Sequence, residues 1–270
     1  MVLPLLQHKR YEAPSAFTPE SLLREARRQK NLEVAAVPAV CVLDPDGDLV
    51  RRLRDDGRAQ IDRSWACYHT ELYRASVDGV ELGLLGCAVG APFAVLVAEE
   101  LFASGCRLLI SMTSAGQLVE LRPPPYFVLI EKALRDEGAS YHYMPASEFS
   151  AADPALLSLL HGRFDGIGIT VERGATWTTD APFRETDEAI ATMQELGLLA
   201  VEMEAAALYA FACARGKAVV CFAHVTNQMG RSELDFEKGE ADGSVSSLEI
   251  IRRTAAILLP AVTTTGRIRE

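Results

Sequence analysis

The chain has 270 residues, 49% of them hydrophobic and 24% charged, with 27 Lys and Arg against 37 Asp and Glu for a net charge of −10. Such a chain buries a sizeable core without disulfides or metals, so global disorder is excluded. The acidic balance argues against a nucleic-acid polymer as partner, because phosphate backbones select basic surfaces. A locally positive pocket for a small anion stays open.

The six cysteines, Cys41, Cys67, Cys87, Cys106, Cys213 and Cys221, form no CxxC pair and no zinc-ligand spacing. Most lie in apolar runs, the pattern of reduced thiols in a cytoplasmic protein. Residues 1–6 are too short for a signal peptide, and His8, Lys9 and Arg10 follow at once. The longest uncharged stretch, residues 82–98, carries three glycines and Pro92 and falls below spanning length. No membrane and no metal are therefore expected.

In chain order, residues 1–34 read as a polar lead-in with one helix. Thr18 is its N-cap and Pro19 its first residue, and it runs to about Lys30. Residues 35–43 form an apolar run of strand length, ended by the turn Asp44-Pro45-Asp46-Gly47. Residues 68–76 and 81–89 pair around Asp78-Gly79 as a hairpin. Gly90-Ala91-Pro92 turns into a helix over 93–104, and 107–112 is the next strand, so a β-α-β unit is in place. Pro123-Pro124-Pro125 precedes a strand over 126–130. Strands near 166–172, 198–201 and 218–225 follow, with helices over 187–196, 205–215 and 246–259. The expected architecture is a single α/β domain over residues 35–270, a mixed, twisted, partly barrel-like sheet flanked by helices.

Ligands of open α/β sheets gather at the carboxyl ends of strands, and three such ends stand out. Gly90-Ala91-Pro92 exposes backbone N–H groups at a helix start, which can cradle an anion, although a plain tight turn explains it as well. Ser111 to Gly116 brings Thr113 and Ser114 to a strand end, suited to sugar or phosphate oxygens or to a capping turn. Val201-Glu202-Met203-Glu204 places two carboxylates before an alanine-rich helix, where Glu204 is a ligand-binding carboxylate or a charge on the helix dipole.

The run from Val201 to Tyr209 resembles the signature of the nucleoside phosphorylase family, most closely its uridine phosphorylase branch. Other segments resemble that family in the same order: the glycine turn and helix of residues 86–101, the Thr113-Ser114 loop, residues 134–145, and residues 177–186 as a base-recognition loop. The resemblance implies cleavage of a ribosyl N-glycosidic bond, with inorganic phosphate as co-substrate, no other cofactor, and a homodimer or homohexamer. It implies that Glu204 binds the ribose 2′ and 3′ hydroxyls and Met203 lines the sugar, with Glu202 beside them. Trp177 is implied to lie beside the base, with Arg184 on a pyrimidine carbonyl. Thr113, Ser114 and Gly90 are implied near sugar and phosphate, and His8 at a neighbour's ribose. Asn227 stands where purine-specific relatives carry an aspartate that protonates the ring; an amide cannot, so a pyrimidine nucleoside is favoured.

The departures from the family pattern concern phosphate. Its Gly-Asp-Pro-Asp-Arg loop is here Leu43-Asp44-Pro45-Asp46-Gly47, which keeps the acids and loses glycine and arginine at their places. The arginine expected before Thr113 is Ile110 or a neighbour, and the one normally lent by an adjacent subunit is Tyr68 or His69. Each charge-assisted bond to phosphate is worth about 1.5–3 kcal/mol, so the losses weigh heavily. Arg51, Arg52, Arg54 and Arg58 are candidate replacements or solvated charge. Three readings remain: a phosphorylase with a rewired phosphate site, a nucleoside hydrolase in which Asp44 or Asp46 activates water, or a non-catalytic nucleoside-binding protein.

Overall fold

A computed structural model describes residues 3–229, 235–263 and 266–268. Ten strands form one sheet in the order β10-β6-β8-β9-β5-β1-β4-β3-β2, with β7 paired to β6. They are β1 (Val40–Asp44), β2 (Ala59–Ile61), β3 (Tyr73–Val77), β4 (Val80–Gly86), β5 (Leu108–Gln117), β6 (Tyr126–Asp136), β7 (Phe149–Ala151), β8 (Val171–Thr179), β9 (Ala200–Glu202) and β10 (Ala218–Asn227). An added β10–β5 pairing closes β5, β10, β6, β8 and β9 into a ring, so the sheet is part barrel and part open. Strand β1 lies parallel to both β4 and β5, whereas β3 and β4 form the antiparallel hairpin that Asp78-Gly79 predicts.

Period-2 alternation sorts side chains to the two faces. Cys41, Leu43, Leu109 and Ala115 pack beneath α3 (Ala91–Ala103) and α6 (Ala205–Arg215). Val40, Val42, Leu108, Ile110 and Met112 pack beneath α2 (Asp48–Asp55), α4 (Pro154–Leu160) and α7 (Ser244–Leu258). The alanines of α6 let it approach the sheet closely, and Ala205 to Phe211 are all buried. Helix α1 (Pro19–Lys30) is capped by the Thr18 hydroxyl as expected. Leu23 and Ala26 of α1 dock it onto Ala66, and Lys30 Nζ donates to the Ala66 and Cys67 carbonyls. Helix α5 (Asp187–Glu195) completes the set. Among the described residues no helix is long and apolar enough to cross a membrane.

Several expectations change in detail. The first strand begins at Val40, not Ala35, because Pro38 lacks the N–H a ladder needs. Ser111 to Gly116 is not a loop after a strand but the second half of β5, held by β10 in parallel register as far as Gly116. Residues 48–55, read above only for their arginines, form α2, which buries Leu49, Val50 and Leu53.

Candidate active site

Glu204 is the centre of the polar ends. It sits at the N-terminus of α6 and is 1% exposed. One carboxylate oxygen accepts the Gly90 N–H at 2.6 Å, and the other accepts the Thr113 hydroxyl at 2.8 Å. The backbone of the Gly90 turn therefore faces a protein carboxylate, not a free anion. Burial pushes the Glu204 carboxyl up to about 7, with the Glu202 carboxylate as the second cause. Each of its oxygens keeps a further lone pair, enough to accept two adjacent sugar hydroxyls. Met203, half-buried, lies next to it in the chain.

Glu202 does not share that task. It is 3% exposed and its acceptors go to the protein: Oε2 takes the N–H groups of Glu204 and Ala205, both at 2.7 Å, and Oε1 takes the hydroxyls of Thr176 and Thr178. Thr178 in turn accepts the Ala206 N–H. Burial pushes the Glu202 carboxyl up while these four donors pull it down. Two residues apart, the carboxylates face different ways, and the bonds of Glu202 fix the backbone that carries Glu204.

The segment resembling a base-recognition loop starts at Trp177, which is buried. It lies within β8 at 3% exposure, packed with Leu118, Ile190, Leu198 and Val201, and its indole N–H donates to Asp136 at 3.0 Å. Its alternation in β8 turns the ring into a satellite core, which leaves no open face for a base. Asn227 is held in place: Oδ1 accepts the Met229 N–H at 2.9 Å and Nδ2 donates to Thr226. Gly116 is paired with Asn227, and a Cβ there would displace the Met229 side chain. Arg184 is exposed on the short turn Pro182–Arg184, and His8 is exposed on the N-terminal segment.

The acid loop meets β5 at Ser114, next to the Thr113 that binds Glu204. Asp44 is 4% exposed and accepts the Val50 N–H at 2.9 Å, which caps the start of α2. Burial raises its carboxyl to about 7. Asp46 Oδ1 accepts the Ser114 hydroxyl at 2.9 Å, and Oδ2 meets Lys238 Nζ at 2.8 Å. Lys238 also binds Asp48, whose other oxygen is held by Arg51. Between these groups lies a cavity of about 20 Å³ bordered by Asp44, Asp46, Asp48, Asp242, Thr113, Ser114 and His224. Stacked on Phe127, His224 is pushed down to about 4 by burial. Lys238 escaped the sequence reading because nothing local ties it to a loop 190 positions away. Of the candidate arginines, Arg51 pairs with Asp48, Arg52 with Asp56 and Arg54 with Asp55.

Asp44 makes stability depend on pH. Its folded pKa of about 7 lies above the unfolded value, so the native state binds the extra proton between about pH 4 and 7. Stability is greatest below that window and falls as pH rises through it, by up to a few kcal/mol. Asp44→Asn, whose amide oxygen still accepts the Val50 N–H, is expected to flatten the fall; denaturant midpoints at pH 5 and pH 8 check it.

A closed ring of strands extended by an open sheet, with a buried carboxylate and hydroxyls gathered at the strand ends, defines an α/β enzyme-type site for a polar, hydroxyl-rich ligand. A sequence model of the phosphorylase superfamily matches residues 39–259, and the chain belongs to that superfamily. A guanosine phosphorylase of Halorubrum lacusprofundi is 28% identical over 146 residues, 54% of this chain and 61% of that protein. A DeoD-type purine nucleoside phosphorylase of Colwellia psychrerythraea is 28% identical over 163 residues, 60% of this chain and 70% of its own length. The chain thus spans less than two thirds of the first of these relatives. The structure of uridine phosphorylase from Vibrio fischeri ES114 superposes with a TM-score of 0.67 at 20% identity, covering 83% of this chain and 93% of that one, a likeness of fold.

Proposed function

We propose that this chain cleaves the N-glycosidic bond of a nucleoside and that water is the acceptor. The superfamily and the buried Glu204, with Gly90 and Thr113 on its two oxygens, support cleavage at a ribosyl group. Such a bond breaks through an oxocarbenium-like sugar, and a carboxylate bound to the ring hydroxyls gains strength as positive charge develops. The acceptor reading is carried by one observation: the space beside Thr113 and Ser114 is about 20 Å³ and is bordered by four carboxylates, Asp44, Asp46, Asp48 and Asp242. That volume suits a single water and is too small for phosphate. Attack forms the C1′–O bond, breaks C1′–N with the electron pair leaving on the base, and passes the water proton to an acid-loop carboxylate.

A second reading, transfer to inorganic phosphate to give ribose 1-phosphate, is favoured by the names of the relatives, which are phosphorylases. For the base, the Asn227 amide supports a pyrimidine, whereas the named relatives act on purines. Both points are tested by base release from uridine, thymidine, cytidine, inosine, guanosine and adenosine, each with and without phosphate. Free ribose formed without phosphate is the expected product; ribose 1-phosphate formed only with phosphate would replace water by phosphate as the acceptor.

A further inference from the structure

Which group takes the proton, and what holds it there, is decided by the surroundings of the small cavity. Five titratable side chains border it, Asp242 of the turn Glu240–Gly243 among them, and three of the others are poor or occupied candidates. Asp44 is committed to the Val50 N–H at the start of α2 and is almost wholly buried. His224 lies flat on Phe127 with ring centroids 4.4 Å apart, its basicity suppressed by burial. Asp48 is shared between Arg51 and Lys238. Asp46 alone of the five is bonded to Ser114, the residue next to Thr113, and Thr113 touches Glu204. A continuous line therefore runs from the sugar carboxylate through Thr113 and Ser114 to Asp46. It ends on an ammonium group.

That ammonium comes from a distant part of the chain. Lys238 lies in the segment that closes back over the strand ends, where the Glu237 N–H donates to the Thr226 carbonyl. Burial pulls the Lys238 ammonium down, but its bonds to Asp46 and Asp48 outweigh this and raise it overall. It is thus charged at neutral pH and clamps one oxygen of Asp46 while Ser114 clamps the other.

We propose that Lys238 is the positioning residue for Asp46, holding its carboxylate against Ser114 so that it accepts the proton of the attacking water. The assignment rests on the hydrolytic reading above. Two fixed bonds, one per oxygen, set both the rotation and the tilt of the carboxylate. Each oxygen retains a lone pair for the water. Positioning of this kind acts on turnover and not on nucleoside affinity, because Lys238 contacts neither Glu204 nor the base side.

The experiment is steady-state hydrolysis by the full-length chain and its Lys238→Met, Lys238→Arg and Asp46→Asn variants, with thermal melts as a check of folding. Lys238→Met is expected to lower kcat at least tenfold with KM for the nucleoside unchanged within about twofold, and Lys238→Arg to recover most of the loss. Asp46→Asn is expected to lie at or below Lys238→Met. A Lys238→Met enzyme with native kcat, or one whose loss falls in KM, overturns the assignment. So does an unrescued arginine variant that melts like the native chain. Native base release that requires phosphate overturns the hydrolytic reading and the Lys238 role together, whereas native hydrolysis with an unaffected Lys238→Met overturns the Lys238 role alone.

Discussion

Replacing Glu204 by alanine is expected to lower kcat/KM for base release by roughly 10²–10⁴-fold, the loss of two charge-assisted hydrogen bonds of about 1.5–3 kcal/mol each. The fold should persist. The substitution frees the Gly90 N–H and the Thr113 hydroxyl, but it also removes a buried carboxylate that already strains against Glu202. The two effects oppose each other, so the melting temperature is expected to fall by less than in Glu202→Ala, while activity falls by orders of magnitude. A pH dependence follows from the same group. Glu204 accepts sugar hydroxyls at full strength only when ionised, and its carboxyl is raised to about 7. Nucleoside turnover in the native chain is expected to fall as pH drops through about 7, at pH values where an unperturbed glutamate would still be charged. Activity of Glu204→Ala within tenfold of native would remove the sugar site from this carboxylate.

Much of this site was legible because its residues announce themselves locally. Thr18-Pro19 marks a helix start, Asp78-Gly79 a hairpin, and Glu204 ahead of alanines a helix N-terminus with a carboxylate on it. The misses have a common cause: they depend on which way a side chain turns, or on a partner far away in sequence. Ser111 to Gly116 reads as a loop because hydroxyls and glycine suit turns, yet β10 supplies a second ladder that keeps the segment extended. Trp177 reads as a stacking ring because an aromatic stands there in the family pattern, but strand alternation points it into a core with Ile190 and Leu198. The arginines of residues 51–58 drew attention as charge, while Leu49, Val50 and Leu53 carried the helix. Lys238 had no local signal at all, since its role exists only where the chain returns to Asp46.

Glu202→Ala is expected to be among the most damaging single substitutions for stability. Four donors converge on this side chain: the N–H groups of Glu204 and Ala205 and the hydroxyls of Thr176 and Thr178. All lie in the interior, where no solvent replaces the lost acceptor, and leaving a buried donor unpaired costs about 1–3 kcal/mol. Even with partial relaxation the loss is expected to reach about 4 kcal/mol, or about 10 °C in Tm for a chain of this size. Glu202→Gln separates the two roles of the carboxylate. Its amide oxygen still accepts two donors, so part of the stability returns, but its charge is gone. Because the Glu202 carboxylate is one cause of the raised Glu204 pKa, removing that charge lets Glu204 ionise at lower pH. The acidic limb of the activity profile in Glu202→Gln is therefore expected to shift to lower pH. An unshifted limb would mean that burial alone sets Glu204, and that the two carboxylates are coupled through the backbone they share and not through their charge.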